Sequence, residues 1–148
     1  MRAREYFEGI RAEVVKLEQS KAMLEAMKAR EGAKGGGFEP SVGGGDGDPM
    51  DAVASRIDFE GRLQMRIADA GELIDEACSL LYGGDNRGGL AKAKGTRYAD
   101  AVCMAYLQAQ PWAEIAEVMQ CSPKWCRELC SAAFRYIDAA GFATIKEI

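Results

Sequence analysis

Any chemistry in this chain would have to be performed by carboxylate, lysine, tyrosine or cysteine side chains, because its 148 residues include no histidine. This absence excludes Ser-His-Asp and Cys-His hydrolases, His-ligated zinc enzymes and acid–base catalysis by imidazole. The acidic run Asp69, Glu72, Asp75 and Glu76 lacks the Glu-x-x-His pairs of carboxylate metal sites in helical bundles. We interpret it as a solvated helix face, and we expect neither an enzyme nor a cofactor.

The five cysteines are Cys78, Cys103, Cys121, Cys126 and Cys130. The last three have the spacing C-x4-C-x3-C, which differs from the C-x2-C pairs of common zinc sites. Cys126 falls on an apolar helical face, where a small buried side chain is expected. The sequence therefore predicts no metal site. An odd number of cysteines without an export signal predicts reduced thiols in a cytoplasmic protein, and no apolar run is long enough to span a membrane.

The formal net charge of the whole chain is −4, but it is unevenly distributed: residues 1–84 hold 11 basic and 16 acidic side chains, whereas residues 85–148 hold 8 basic and 7 acidic ones. Between residues 122 and 135, three basic side chains face a single acidic one. Arginine can bond guanine through two hydrogen bonds, and lysine can contact a base or a phosphate. Hydroxyl, carboxylate and indole groups in the same stretch are further candidates, and two lysines lie upstream as a possible flank. The predicted DNA-contacting residues are Lys124, Trp125, Arg127, Glu128, Ser131, Arg135, Lys92 and Lys94.

Trp125 has two interpretations, since an exposed indole is costly unless something covers it. It contacts DNA, or it packs on the N-terminal helices or on a partner. Trp112 is expected to lie in the core.

Three short helices are predicted to position these side chains. The first covers 98–107 with Thr96 as its N-cap, and Pro111 then starts a second helix over 112–119. The turn Gln120-Cys121 follows, after which Ser122 caps the third helix. A short helix, a tight turn and a capped helix with a polar outer face is the helix-turn-helix layout, whose last helix can enter a DNA major groove.

The pattern W-x-E-I-A-E-x-M-x-x-S-x-x-x-x-R, from Trp112 to Arg127, resembles region 4 of RNA polymerase sigma factors. The whole layout is similar to small phage and prophage proteins that join a helical hairpin to such a module, and the tract 81–90 fits that group. The resemblance implies DNA and RNA polymerase as partners. The chain departs from it at Ser131 and Ala132, where sigma modules commonly carry a basic pair, and at Gln120-Cys121, where a turn glycine is common.

Two long amphipathic segments, 1–31 and 50–82, predict helices joined by a Gly-rich disordered loop over 32–49. We expect them to form a long, coiled-coil-like antiparallel hairpin over 1–82. A connector over 83–95 and a helix-turn-helix domain over 96–148 would follow, so the predicted fold class is all-α. The second helix is apolar on two sides, which indicates a further contact with the C-terminal segment or with a second copy of the chain.

The helix-turn-helix layout predicts DNA binding through the third short helix, and the resemblance implies a phage- or prophage-derived transcription regulator. Two alternatives stay open. One is a protein-interaction module that docks on RNA polymerase or another regulator without reading DNA. The other is a phage DNA-packaging component, because small terminase subunits also combine a helix-turn-helix with helical oligomerisation regions.

Overall fold

The computed structural model describes residues 1–34 and 49–148, and within these residues it contains helices and turns but no strand. The all-α class is therefore confirmed. The predicted disordered loop over 32–49 falls mostly on residues 35–48, which lie outside the described part of the chain, whereas residues 32–34 and 49 are helical because α1 and α2 extend beyond their predicted ends.

Two long helices come first and shorter ones follow, with one π-helical turn continuing α4. The predicted helix over 112–119 and the predicted start of the next helix at Pro123 are confirmed, whereas α3 and α7 were not expected. The elements are α1 (Ala3–Lys34), α2 (Pro49–Tyr82), α3 (Gly89–Ala93), α4 (Thr96–Val102), the π-helical turn (Cys103–Leu107), α5 (Trp112–Met119), α6 (Pro123–Ala140) and α7 (Phe142–Lys146).

The described chain divides into two compact units, and both long helices contribute to each. The larger unit contains Met1–Val15 and Ala70–Ile148, and the smaller unit is Lys16–Asp69. The first turns of α1 therefore belong to the same unit as the C-terminal helices.

The smaller unit contains ion pairs between α1 and α2. The Arg56 guanidinium donates to Glu31 at 2.8 Å and to Glu60 at 3.0 Å, and the Lys28 ammonium lies 3.5 Å from Glu60. These pairs join Lys28 and Glu31 of α1 to Glu60 and Arg56 of α2. These side chains are partly exposed, so the ion pairs contribute little to stability. The buried apolar side chains of this unit include Leu17, Leu24 and Leu63.

An aromatic cluster lies in the core of the larger unit. The Phe7 ring, on α1, stacks on the Phe134 ring of α6 with centroids 5.5 Å apart, and Tyr106 meets Phe134 edge-on at 5.2 Å. Phe7 is completely buried. Such aromatic pairs add about 0.5–1.5 kcal/mol beyond the burial of their area. The cluster therefore attaches the start of α1 to α6.

The connection from α2 to α3 is a compact glycine turn. Gly83 and Gly89 have φ values of +82° and +64°, which favour glycine. The backbone also approaches itself closely here, since a Cβ on Gly83 would lie 2.8 Å from the nitrogen of Gly88. Gly83 and Gly89 are thus required by the backbone conformation and close packing of this turn.

Three details of the predicted helices need correction. Thr96 is the first residue of α4, and Gly95 takes the N-cap position, because the backbone at Gly95 has φ +143° and turns immediately before Thr96. The predicted helix over 98–107 changes to π-helical geometry at Cys103, with the Gln108 amide donating to the Cys103 carbonyl at 3.0 Å. Trp112, expected in the core, is only half-buried because it stands at the first turn of α5.

Candidate nucleic-acid interface

The connection between α5 and α6 is a turn of three residues, 120–122. Gln120 ends α5 in the left-handed conformation, with φ 54° and ψ 51°. The amide of Cys121 donates back to the Ala116 carbonyl at 3.1 Å, which satisfies a helix-end acceptor. Ser122 Oγ accepts a hydrogen bond from the Trp125 amide at 3.0 Å, and Pro123 occupies the first helical turn. The predicted Ser122 cap is thus confirmed.

Helix α6 has one buried face and one exposed face, as its sequence period predicts. The buried face consists of Cys126, Leu129, Cys130, Ala133, Phe134 and Ile137. The predicted DNA-contacting side chains on α6 are exposed, apart from the half-buried Ser131; the exposed ones are Lys124, Trp125, Arg127, Glu128 and Arg135.

Four of these predicted residues line one groove of about 350 Å³. Trp125, Glu128, Ser131 and Arg135 form the α6 side of this groove, and Tyr98 of α4 faces them. The Trp125 side chain is 48% exposed. Its indole therefore remains accessible to a ligand from this groove.

Arg127 lies beside the start of α5. Its guanidinium carbon is 5.8 Å from the centre of the Trp112 ring, within the range of a cation–π contact. This contact holds the arginine against the start of α5 while leaving it exposed. An arginine held in this way loses less conformational entropy when it binds a ligand than a fully mobile one.

The two flanking lysines have different surroundings. The Lys94 ammonium lies 5.0 Å from the Tyr98 ring centre and 5.8 Å from that of Tyr136, so it stands next to α6 although it precedes α4 in the chain. Lys92 is exposed on α3. Lys94 is thus the flanking lysine that the structure brings to α6.

The structure adds a basic residue that the sequence does not associate with this surface. Arg4, on α1, donates from Nη2 to Ser131 Oγ at 3.1 Å, and its guanidinium carbon lies 5.1 Å from the Phe134 ring centre. Arg4 and Ser131 are 127 positions apart in the chain, so no local pattern reveals the contact. The available signal is the apolar position of Phe7 one turn later, which indicates that this end of α1 packs against something.

A second groove, of about 380 Å³, lies at this contact between α1 and α6. Arg2, Arg4 and Arg135 line it together with the acidic residues Glu5 and Asp138. The Asp138 carboxylate accepts a hydrogen bond from the amide of Ala3 at 2.8 Å, which caps the start of α1. Basic side chains thus outnumber acidic ones here by a small margin.

A larger cleft, of about 680 Å³, is lined by residues of α2, α4, the π-helical turn and α5. Inside it the Tyr82 hydroxyl donates to Asp100 Oδ1 at 2.7 Å. Burial, followed by this hydrogen bond, raises the pKa of Tyr82 far above its ordinary value. Burial likewise raises the pKa of the neighbouring Cys103 thiol. Both groups therefore stay protonated near neutral pH, which disfavours them as nucleophiles.

Within residues 1–34 and 49–148, no group of three or more cysteine, aspartate or glutamate side chains is placed to hold a metal ion. In the same part of the chain, no helix is both long and apolar enough to cross a membrane. Comparison of the chain with protein-family models, with curated proteins and with solved structures finds no match.

Proposed function

We propose that this protein is a DNA-binding transcription regulator, of the kind found in phages and prophages, whose α5–turn–α6 segment acts as a sigma region 4-like helix-turn-helix. The observation that carries the proposal is the start of α6. It is fixed by the Ser122 cap, and it exposes Lys124 and Arg127 within its first two turns. The recognition helix of a helix-turn-helix protein contacts base edges with its N-terminal residues, which is the position of these two side chains on α6.

The two basic residues at the start of α6 have distinct roles in this proposal. Arg127, positioned over Trp112, would bond a guanine through its planar guanidinium. Lys124 would contact a phosphate or a base. Glu128 would accept from a cytosine amino group, and Trp125 would lie against the DNA along the groove it shares with Ser131.

Backbone contacts would come from the surface formed by α1 and α6. Arg4 supplies a positive charge at Ser131, a position where α6 itself has no basic residue. Arg2 and Arg135 line the same groove, and Lys94 stands beside Tyr136. Each of these side chains would neutralise a phosphate and release a counterion. Exposed Glu114 and Glu117 on α5 oppose this attraction, so we expect modest affinity from a single copy.

The long helices would form the antiparallel hairpin and mediate self-association. The ion pairs of Arg56 and Lys28 support the antiparallel direction in the smaller unit. Met23, Ile57 and Met65 in that unit are more than half exposed, and a second copy of the chain would bury such apolar side chains favourably. Light scattering tests this directly: a dimer supports the proposal, and a monomer contradicts it. A ring-sized mass would instead favour a DNA-packaging component.

Titration with DNA fragments from the neighbourhood of its gene, at several salt concentrations, tests DNA binding. We expect salt-dependent binding that Lys124→Ala combined with Arg127→Ala weakens by at least about ten-fold, since each good base contact contributes roughly 1–3 kcal/mol. The matched control combines Lys16→Ala with Arg62→Ala, which removes the same charge from exposed positions of the smaller unit. Absence of binding at low salt, or equal affinities of the two double variants, would refute direct DNA recognition.

Arg4→Ala tests the phosphate contact separately. We expect weaker binding by a similar factor on all DNA sequences and a salt slope smaller by about 1, as for the loss of one phosphate contact. A change in sequence preference would instead assign Arg4 to base recognition.

A second candidate function is docking on RNA polymerase or another regulator without DNA contact. The exposed side chains of Trp125 (48%) and Val118 (67%) favour it, because both are apolar and flank the turn between α5 and α6. Pull-down with RNA polymerase should then retain the wild-type protein and lose Trp125→Ala. Retention of both proteins, or of neither, would contradict this role for Trp125.

A further inference from the structure

Two cysteine sulfurs meet where α6 begins. Cys121 Sγ lies 3.2 Å from Cys126 Sγ, although the two residues are on opposite sides of the Ser122 cap. A disulfide bond requires a separation of about 2.05 Å. The sulfurs therefore need to approach by roughly 1 Å to form the bond.

We propose that Cys121 and Cys126 are a redox-active pair that closes a disulfide across the start of α6. The argument for this modification does not rest on the proposed DNA contacts. The bond would join the turn to the first buried position of the helix and enclose Ser122, Pro123, Lys124 and Trp125 in one covalent ring.

The two thiols have unequal access to solvent, which sets the order of the reaction. Cys121 is partly exposed, while Cys126 is completely buried. Burial, together with the contact with Cys121, raises the pKa of the Cys126 thiol to about 11. Cys121 is therefore the thiol that a soluble oxidant reaches first, and Cys126 is the resolving thiol.

The oxidant is a low-molecular-weight disulfide, and the reaction is two successive thiol–disulfide exchanges. The Cys121 thiolate attacks one sulfur of the oxidant, forms a mixed disulfide and releases one small thiol. Cys126 then loses its proton to solvent and attacks Cys121 Sγ, which forms the internal disulfide and releases the second small thiol. The two cysteines are oxidised by two electrons in total, and one oxidant molecule is reduced to two thiols.

The neighbouring cysteine on α6 is a poorer partner. Cys130 is almost completely buried, and burial raises its pKa to about 12. It also lies on the same helix as Cys126, one turn later. A disulfide requires two Cβ atoms to come within about 4.5 Å, which a turn allows more easily than a regular helix. Selective pairing of Cys121 with Cys126 is thus the expected outcome.

Peptide mapping of the folded full-length protein tests the pairing. Oxidised glutathione is added, remaining thiols are blocked with iodoacetamide, and trypsin is applied. Cleavage at Lys124 and Arg127 isolates Cys126 in the tripeptide 125–127, apart from Cys130 in 128–135. We expect this tripeptide to be linked to the peptide 98–124, with fragmentation assigning the link to Cys121, and dithiothreitol should abolish it.

Matched variants separate the pair from its neighbours. Cys121→Ser should eliminate the linked tripeptide, whereas Cys103→Ser, which alters the other cysteine of peptide 98–124, should leave it intact. Circular dichroism verifies that each variant folds. Unlinked, fully alkylated Cys126 after oxidation would overturn the proposal, as would a link from Cys126 to Cys103 or Cys130.

Discussion

Substitution of Gly89 by alanine tests whether the glycine turn between α2 and α3 requires glycine for structural reasons. The residue has φ +64°, a conformation that costs an L-residue roughly 1–2 kcal/mol. The added Cβ would also lie 2.6 Å from the Leu80 carbonyl oxygen and 2.7 Å from the Gly83 nitrogen. Both atoms belong to backbone and cannot rotate away, and forced overpacking of this kind costs about 1–3 kcal/mol.

A small opposing effect comes from the unfolded chain, in which alanine is less flexible than glycine by about 0.4–1 kcal/mol. We therefore expect Gly89→Ala to lower the free energy of unfolding by about 1–4.6 kcal/mol, a large part of the stability of a small domain. Urea titration followed by tryptophan fluorescence measures this, because Trp112 and Trp125 both lie in the larger unit.

Gly84→Ala is the matched control in the same turn. Gly84 has no positive φ, and a Cβ there would have no neighbour within 4 Å among the described residues. Its substitution should change stability by less than about 0.5 kcal/mol, as for ordinary surface positions. If Gly89→Ala were as stable as Gly84→Ala, the close backbone packing inferred for this turn would be refuted.

Three further substitutions test the turn and the aromatic core. Gln120→Gly should stabilise the protein by about 0.5–1 kcal/mol, since φ is +54° there. The control Gln108→Gly, at φ −102°, should not stabilise it. Equal effects of the two substitutions in urea titration would contradict backbone strain at Gln120. Ser122→Ala should cost about 1 kcal/mol by loss of the cap, and an unchanged urea midpoint would argue against the cap. Burial, and then the charge of Glu76, raise the pKa of Tyr6 to about 12. Between about pH 10 and pH 12 the unfolded chain loses this proton while the folded chain keeps it, so stability declines as the pH rises over this range. Tyr6→Phe should reduce that decline in stability measured against pH, and an unaltered decline would exclude Tyr6 as its cause.

Local patterns predicted most helices of the C-terminal part correctly, because the signals lie within a few residues of one another. The Ser122-Pro123 pair marks the start of α6, and the apolar period of α6 predicts its buried face. The change to π-helical geometry at Cys103 was not predicted, since it alters which carbonyl each amide bonds without changing the apolar pattern. The sequence pattern favours Thr96 as the cap, whereas the structure has Gly95 there, because a glycine cap leaves no side-chain signature.

The candidate interface was predicted only in part. The spacing of Trp125, Glu128 and Arg135 on one helix predicted that they share a surface, and the structure places them in one groove. Arg4 was not predicted, because its position beside Ser131 follows from the packing of Phe7 against Phe134, and contact between residues so far apart in the chain leaves no periodic signal.

By itself, the sequence determined the all-helical class, the absence of imidazole chemistry and the positions of the α5–α6 turn and its cap. Each of these depends on residue types or on spacings shorter than two helical turns. Only the tertiary structure decided that the start of α1 packs against α6, that Arg4 joins the basic surface and that the sulfurs of Cys121 and Cys126 meet. These outcomes depend on how buried apolar faces fit together in space, a property that local propensity does not specify.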